Sequence, residues 1–477
     1  MKRSLSRFGV LFGLLLTSQL AFAAAFFKVS STGLSSETIS ITLCLNGKGP
    51  LTCQNYNVAS LNLSITTTVP NRVYPSVGIK VNRPGYYPLL GCTPIANGYC
   101  LFSANNVSPA TITPANARYN VVFDAGSSGT RMFIYQTIAP LNPLIVTLFT
   151  DNNNIPLASF ANNPAAAGNA IQPLLTEATN VLQTYQITPS QAIASVLGTA
   201  GMRVLTEAQQ AAIYQSVANT IVSNNYGLGE TKTISGQQEG LYQWLEVNYL
   251  NSSLGTYLTR GIIEIGGASA QVAFVANTPS NPNVIKLTIN GVVYDLFSIS
   301  FLGLGQDLAR QSMDAVQPPL DPDNCYPVGY NQGPITGNFL YSRCLANYGE
   351  VLTNFSMLSQ LTSVPGFTSQ SYYGIAAIYF NATFLGISNN FNPLSIRNAI
   401  TSICSNSYAQ LQQLYPGLPQ LFNKCADSTY VDSFLYSSPG LNLVGIPVEP
   451  VVTISGVPIT WTGGYIYLIN KSPSILG

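Results

Sequence analysis

Two turns rich in glycine and serine each follow an acidic residue at the end of an apolar run. Asp124 precedes residues 125–128 (Ala-Gly-Ser-Ser), and Glu264 precedes residues 265–269 (Ile-Gly-Gly-Ala-Ser). Backbone N–H groups that point the same way in such a turn form a phosphate site, and glycine permits the close approach. The preceding carboxylate would be repelled by phosphate, but it can hold the water shell of a divalent cation. This internal repeat predicts two similar lobes that grip the two ends of a polyphosphate.

The general base for attack by water must be a carboxylate, because the chain contains 0 histidines. The same absence excludes Ser-His-Asp and Cys-His mechanisms and every histidine-ligated zinc or haem site. Glu239, between Gln238 and Gly240, is our candidate base, since only 8% of the residues are charged. The alternative for this segment alone is a helix N-terminal glutamate that interacts with the helix dipole.

Composition limits the class of protein. A chain of 477 residues with 46% hydrophobic residues is long enough for two or three domains and too apolar to be disordered. Its formal net charge is +1. Nucleic acid therefore meets no basic surface to bind, and we expect no nucleic-acid partner.

The N-terminus predicts export. Residues 1–23 combine a basic start, an apolar stretch over residues 8–20 and the small-residue sequence Ala21-Phe22-Ala23, which is typical of a signal peptide. An N-terminal membrane anchor is the alternative. No later stretch is long and apolar enough to cross a bilayer, so we expect a secreted or periplasmic protein with no membrane span in the mature chain.

Eight cysteines in an exported chain suggest disulfide bonds. Their order favours local pairs, although sequence alone does not determine connectivity. The favoured pairs are Cys44–Cys53, Cys92–Cys100, Cys325–Cys344 and Cys404–Cys425. Free buried thiols or a zinc site are the alternatives.

The chain changes character near residue 118. Residues 24–117 contain short runs that alternate in polarity and are separated by turn residues, which predicts an all-β, sandwich-like module. From residue 118 strands alternate with amphipathic helices, one of them around residues 171–185, which indicates an α/β core. Residues 119–123 and 132–135 are predicted to form a hairpin around the first turn. Thr206 and Gln209 form the pattern of a capping box at the start of another helix.

Five ordered segments resemble the five apyrase conserved regions of the ecto-nucleoside triphosphate diphosphohydrolases, or apyrases. The segments are residues 124–131, 199–203, 236–249, 266–271 and 459–465. The resemblance extends over roughly residues 118–477 and leaves the N-terminal module outside it. It implies an actin-like pair of RNase H-type lobes. The first would be residues 118–234 plus 446–477, and the second residues 235–445.

The resemblance also implies removal of terminal phosphates from nucleoside tri- and diphosphates with Ca²⁺ or Mg²⁺. By motif, Glu239 is the base and Gln271 helps to orient the water. The implied phosphate-binding residues are Ser127, Ser128, Gly129, Thr130, Gly267, Ala268 and Ser269. The residues implied to hold the cation through water are Asp124, Thr199, Glu264 and Trp461. Glu264 departs from the family, which usually has aspartate there, and a looser match suggests Tyr379 or Phe380 for stacking on the base.

Two other classes of function stay open. An exopolyphosphatase or sugar kinase could use the same fold and a similar acid–turn pattern for phosphoryl transfer. A non-catalytic exported binding or adhesion protein is the other class, with the N-terminal module as its working part. The sequence identifies no partner for that module.

Overall fold

The computed structural model describes residues 117–471, apart from residues 139–143, 185–186, 277, 279–280 and 455, and the backbone of strands between residues 24 and 114. The chain divides into two compact units, residues 1–93 with 99–114 and residues 94–98 with 115–477. Residues 1–23, the predicted signal peptide, lie outside the described residues. None of the helices in the described part combines the length and the apolar character that crossing a membrane requires.

The N-terminal strands form two sheets, in agreement with the predicted all-β character of this region. The strands are β1 (Ala24–Ser31), β2 (Ile39–Asn46), β3 (Thr52–Val58), β4 (Ser60–Thr66), β5 (Ser76–Val81), β6 (Tyr86–Leu89), β7 (Thr93–Pro94), β8 (Tyr99–Ser103) and β9 (Ser108–Pro114). Their orders are β4-β1-β9-β6 and β3-β2-β5-β8-β7. The sandwich-like packing of the sheets stays a prediction.

The second unit contains the α/β core. Its strands are β10 (Ala117–Ala125), β11 (Thr130–Ile138), β12 (Leu144–Asn153), β13 (Ala192–Gly198), β14 (Gly227–Thr233), β15 (Gly261–Ile265), β16 (Ser269–Val275), β17 (Val284–Ile289), β18 (Val292–Leu302), β19 (Asn331–Gln332), β20 (Ile335–Thr336), β21 (Tyr372–Ala376), β22 (Val448–Pro450), β23 (Thr453–Ile454) and β24 (Val457–Pro458). Its helices are α1 (Ala167–Thr184), α2 (Ala200–Arg203), α3 (Glu207–Ser223), α4 (Gly236–Leu250), α5 (Gln306–Asp314), α6 (Tyr341–Thr353), α7 (Ser356–Gln360), α8 (Ala377–Phe384), α9 (Pro393–Cys404), α10 (Tyr408–Leu414), α11 (Lys424–Tyr436) and α12 (Trp461–Asn470).

The two main sheets of this unit share one topology. In the first, the order is β12-β11-β10-β13-β14, with three antiparallel strands followed by two parallel ones. In the second, β18-β16-β15-β21-β22 repeats that pattern, and β17 is added at the edge. The prediction of two similar lobes is therefore confirmed. The predicted lobe boundaries stay predictions, and β22 belongs to the second sheet although it lies within residues 446–477.

Local sequence patterns in the first lobe predict a hairpin, a helix and a helix cap that the structure contains. The predicted hairpin around the first turn is β10 and β11, and the predicted helix around residues 171–185 is α1. The side chains of Ile171 and Leu175 on its apolar face are fully buried. Thr206 caps α3 by accepting a hydrogen bond from the Gln209 backbone N–H, and the Gln209 side chain accepts one from the Thr206 backbone N–H. Periodicity and capping are local properties, so the sequence is sufficient to predict them.

Helices α4 and α12 pack against each other within a core shared by both sheets. This hydrophobic cluster includes Val122 from the first sheet, Ile262 from the second, Trp244 from α4 and Ile466 from α12. The ring of Tyr242 stacks on Trp461, with centroids 6.3 Å apart. The helix pair is therefore buried between the lobes, and the first turn of each helix is held in a fixed position.

Two of the predicted disulfide bonds are confirmed. Cys325 pairs with Cys344, and Cys404 pairs with Cys425. The side chains of Cys44 and Cys53 lie outside the described residues, although their backbones are opposite each other on β2 and β3. The predicted pair Cys92–Cys100 likewise lies outside the described residues.

We predict that Gly464→Ala lowers the free energy of unfolding by at least ~2 kcal/mol, because overpacking a closed interface forces the backbone apart. A Cβ at this position would lie 2.7 Å from the carbonyl carbon of Tyr242 and closer still to its oxygen. Gly349→Ala is the matched control, because its Cβ would meet only Pro439 Cγ at 4.0 Å. That change should raise the stability by about 0.5–1 kcal/mol. Urea titrations of both variants measure the difference, and equal stabilities would contradict a tight α4–α12 contact.

Candidate active site

Both turns line one cavity of the second unit. Ser127 and Ser128 come from the first turn, and Gly267, Ala268 and Ser269 come from the second. The turns are closed in the same way, because Gly126 N–H donates to the Gly129 carbonyl over 2.9 Å and Gly266 N–H donates to the Ser269 carbonyl over 3.0 Å.

The turns also face each other closely. A Cβ added to Gly267 would lie only 2.6 Å from the Ser127 hydroxyl oxygen. The two lobes therefore meet at the glycine-containing turns, as the internal repeat predicts, and a side chain at position 267 would close the space between them.

The segment around Thr199 packs against the first turn. Thr199 N–H donates to the Ala125 carbonyl over 3.1 Å. A Cβ on Gly201 would approach Ser127 Cα to 2.9 Å, so this glycine permits the close packing of α2 against the turn. Thr199 itself is buried and lines the cavity.

Glu239 lies in the first turn of α4 and faces the same cavity. Ser235 caps the helix by accepting a hydrogen bond from Gln238 N–H, which fixes the position of this turn. The Glu239 carboxylate accepts hydrogen bonds from Arg203 and, over 3.0 Å, from Gln271 Nε2. The candidate base is therefore held in one orientation by two donors on other elements.

Gln271 is fully buried and does not line the cavity. Besides Glu239, its Nε2 donates to Ser269 Oγ over 2.6 Å and to Ser300 Oγ over 3.1 Å. Gln271 therefore contacts the candidate base, while its own Oε1 is buried without a hydrogen-bond partner among the described residues. Its part in orienting the attacking water stays a prediction.

The acids before the turns occupy equivalent places in the two hairpins. Asp124 is opposite Arg131 on the neighbouring strand, and Glu264 is opposite Gln271. Asp124 Oδ2 pairs with the Arg131 guanidinium over 3.1 Å, whereas Asp124 Oδ1 is buried without a hydrogen-bond partner. The two acids therefore have the same strand register but different partners, because a positively charged arginine lies opposite Asp124 and a neutral glutamine lies opposite Glu264.

Three carboxylates and two guanidiniums line or border this cavity, so its acids exceed its bases. Burial raises the pKa of Asp124, and the Arg131 charge opposes that shift, as does the Trp461 side chain. Burial likewise raises the pKa of Glu239 against the effect of Arg203. The pKa of Glu264 is also raised, first by burial and then by the nearby Glu239 charge. A divalent cation would relieve this excess of negative charge.

Of the remaining predicted site residues, some line the cavity and others do not. Trp461, Glu264 and Phe380 line it, and the Phe380 side chain is 55% exposed. Gly129, Thr130 and Tyr379 do not line it. The Thr130 hydroxyl donates to the Ile155 carbonyl over 2.9 Å, and its contact with phosphate stays a prediction.

Sequence reasoning missed three residues. Arg131 and Arg203 stand at the ends of two of the motifs, and Gln243 follows Glu239 by one helical turn. The scarcity of charge was the available signal, since a basic residue inside a motif of so uncharged a chain is conspicuous. The two arginines contact Asp124 and Glu239, and no local pattern in the sequence reveals those contacts.

A second buried acid lies further along α4. Glu246 follows Glu239 by two helical turns, does not line the cavity and forms no ion pair with any described basic side chain. Its carboxylate lies close to Gly463 of α12. Burial raises its pKa to about 8.

Comparison with known proteins agrees with this geometry. Residues 110–475 match the GDA1/CD39 (nucleoside phosphatase) family. The "Nucleoside-triphosphatase ntp-1" of Caenorhabditis elegans is 24% identical over 466 residues, which cover 87% of this chain and 85% of that protein. The human "Ectonucleoside triphosphate diphosphohydrolase 8" is 25% identical over 451 residues, which cover 82% of this chain and 90% of that protein.

A solved structure has the same fold. The structure described as "nucleoside triphosphate hydrolases from Neospora caninum" superposes with a TM-score of 0.53 at 15% identity, covering 74% of this chain and 92% of that one. The predicted actin-like, two-lobed α/β fold is confirmed.

We predict that Glu246→Gln removes part of the pH dependence of folding. A carboxyl whose pKa is raised on folding stabilises the protein fully below its unfolded pKa, and this stabilisation is lost as the pH rises through the folded value. The wild-type chain should therefore lose stability relative to Glu246→Gln between about pH 5 and pH 8, by up to ~1.4 kcal/mol per pH unit. Urea titrations at three pH values measure this. Glu207→Gln, on the exposed first turn of α3, is the matched control. A Glu246→Gln curve of stability against pH that runs parallel to that of the wild type would contradict the prediction.

Proposed function

Because the chain belongs to the GDA1/CD39 (nucleoside phosphatase) family, we propose that it is an exported apyrase in which Glu239 activates the attacking water. Membership makes it a nucleotide phosphoanhydride hydrolase. The observation that carries the finer proposal is the position of Glu239, which lines the same cavity as both glycine-containing turns. Nucleoside tri- and diphosphates are the proposed substrates, and the terminal phosphate is the group removed.

Export is supported by the disulfide bonds. The chain forms the disulfides Cys325–Cys344 and Cys404–Cys425. Disulfide bonds persist in oxidising compartments and are rare in cytosolic proteins. The signal peptide proposed for residues 1–23 gives the route. Secretion or delivery to the periplasm fits a hydrolase that acts on nucleotides outside the cytoplasm.

The donor set fits a divalent cation held through water. Among the described residues, no group of three acidic, cysteine or histidine side chains could hold a metal ion directly. Asp124 Oδ1 is a buried acceptor without a partner, and a water molecule of a hydrated cation would donate to it. Asp124, Thr199, Glu264 and Trp461 would hold Ca²⁺ or Mg²⁺ in this way. When bound, the cation would offset the negative charge of the phosphate chain.

The two turns are the proposed phosphate sites. Ser127 and Ser128 on one side and residues 267–269 on the other would donate backbone N–H groups, and the serines also hydroxyls, to phosphate oxygens. Since both turns belong to rigid hairpins, the phosphate chain would be held with little motion. This positioning supplies much of the rate enhancement in phosphoryl transfer.

Glu239 would take a proton from the water that attacks the terminal phosphorus. Arg203 and Gln271 both contact its carboxylate, so they would fix the direction in which the carboxylate accepts that proton. Arg203 also favours the ionised form by lowering the pKa of Glu239 against the effect of burial. A base must be ionised to act, and the Arg203 charge favours that form, although burial is the larger effect and leaves the pKa of Glu239 raised.

We predict that the wild-type chain releases phosphate steadily from nucleotides when Ca²⁺ or Mg²⁺ is present, and that EDTA stops the release. Glu239→Gln should lower kcat by about 10²–10⁴-fold, because general base catalysis contributes about that factor. Nucleotide binding, followed by the fluorescence of the cavity residue Trp461, should persist. Glu207→Gln, also in the first turn of a helix but exposed, is the matched control.

Three outcomes would contradict this function. Near-normal hydrolysis by Glu239→Gln would remove Glu239 as the base. A strong preference for inorganic polyphosphate over nucleotides would favour an exopolyphosphatase. Phosphate transfer that requires an alcohol acceptor would favour a kinase.

We predict that Phe380→Ala raises KM for ATP about tenfold and leaves the hydrolysis of inorganic triphosphate unchanged. Phe380 lines the cavity with an exposed ring, and stacking of a base on an aromatic ring contributes about 1–3 kcal/mol. Tyr379→Ala is the control, since Tyr379 does not line the cavity. An equal effect of Phe380→Ala on both substrates would contradict stacking.

A further inference from the structure

Gln243 is a buried amide that the proposed mechanism does not use. It lies on α4 one turn beyond Glu239, and its side chain lines the cavity while the residue is only 4% exposed. Its Nε2 atom is buried and has no hydrogen-bond partner among the described residues. Native structures contain few buried donors without a partner, because each loses its hydration without replacement. An unpartnered donor in the wall of an active-site cavity points to a ligand that accepts from it.

The residues on either side of Gln243 are packed tightly, so helix α4 is held against rotation about its axis. Tyr242 precedes it and is held by Trp461 and Gly464 of α12. Trp244 follows it, is fully buried and packs edge-to-face on Tyr294 with centroids 5.3 Å apart. Gln243 is therefore presented to the cavity by a rigid element, which is the arrangement that a binding residue requires.

None of the three carboxylates that line the cavity, Asp124, Glu239 and Glu264, accepts a hydrogen bond from Gln243. Glu239 already accepts from Arg203 and Gln271. Asp124 Oδ1 is free, yet it forms no hydrogen bond with Gln243. A water bound to a cation directs its protons outward, so it can donate a hydrogen bond to the acceptor Asp124 but cannot accept one from Gln243. Unprotonated phosphate oxygens are acceptors, so they can accept a hydrogen bond from Gln243.

We propose that Gln243 binds the substrate, with Nε2 donating a hydrogen bond to a non-bridging phosphate oxygen of the nucleotide. The inference rests on the proposed function and extends it, because it adds a side-chain donor from the helix of the base to the backbone donors of the turns. The terminal or the preceding phosphate is thereby tied to the element that carries Glu239, and the distance between base and phosphorus is held constant.

The test uses Gln243→Met, which removes the donor but keeps the length of the side chain. Binding is followed by tryptophan fluorescence, since the chain has 2 tryptophans and Trp461 lines the cavity. The probes are a methylene-bridged ATP analogue, inorganic triphosphate and Ca²⁺ alone. We expect Kd for both phosphate compounds to rise about 10–100-fold, the range for one hydrogen bond to a charged group, and Kd for Ca²⁺ to change less than twofold.

A second variant and a stability measurement separate binding from structure. Gln243→Glu places a negative charge against the phosphates, so it should weaken their binding further and leave Ca²⁺ binding equal or tighter. The Tm of Gln243→Met should equal or exceed that of wild type, because an unpartnered buried donor has been removed. Gln215→Met, an exposed glutamine on α3 that bonds only Asn219, is the matched control and should change none of these values.

The outcomes that overturn the proposal are distinct. Unchanged Kd for triphosphate in Gln243→Met removes Gln243 as a phosphate ligand. A loss confined to Ca²⁺ binding assigns the amide to the hydrated cation instead, and a lower Tm with unchanged Kd assigns it to structure. If the wild-type chain neither releases phosphate nor responds to the nucleotide analogue, the proposed function itself fails.

Discussion

The close contact between α4 and α12 is the constraint on which the site depends. Gly464 lets the two helices approach until its backbone touches the Tyr242 carbonyl, and both sheets then pack against the helix pair. Glu239 lies in the first turn of α4 and Trp461 begins α12, so the candidate base and another part of the cavity wall belong to buried elements. The turns that meet them are rigid hairpins. A site built on helices and strands keeps its geometry without help from a mobile loop.

The cavity is also defined by an excess of negative charge. Among the basic side chains that the structure describes, Asp124, Glu239 and Glu264 face Arg131 and Arg203 alone, and burial raises the pKa of all three acids. A polyphosphate would add to this repulsion, and a divalent cation bound with it would offset the added charge. Each arginine pairs with one acid, Arg131 with Asp124 and Arg203 with Glu239. Neutralising the phosphates of a substrate would therefore be left to a bound cation.

Much of the fold could be predicted because its signals are local. The hairpin around the first turn, the apolar face of α1 and the Thr206 cap follow from spacing over a few residues. The site was predicted less completely. Phe380 and Tyr379 are adjacent in sequence, yet only Phe380 lines the cavity. Thr130 belongs to the first motif, and its hydroxyl donates to the Ile155 carbonyl.

By itself, the sequence predicted a carboxylate base, since histidine is absent, and two similar lobes, since the acid–turn pattern occurs twice. Only the tertiary structure decided which groups meet: Arg203 with Glu239, Gln271 behind the base, and Gln243 without a partner. The physical reason is the separation along the chain over which each interaction acts. Propensity, periodicity and capping act between neighbours in the chain, whereas hydrogen bonds between residues more than 30 positions apart exist only after the sheets have packed on the α4–α12 pair.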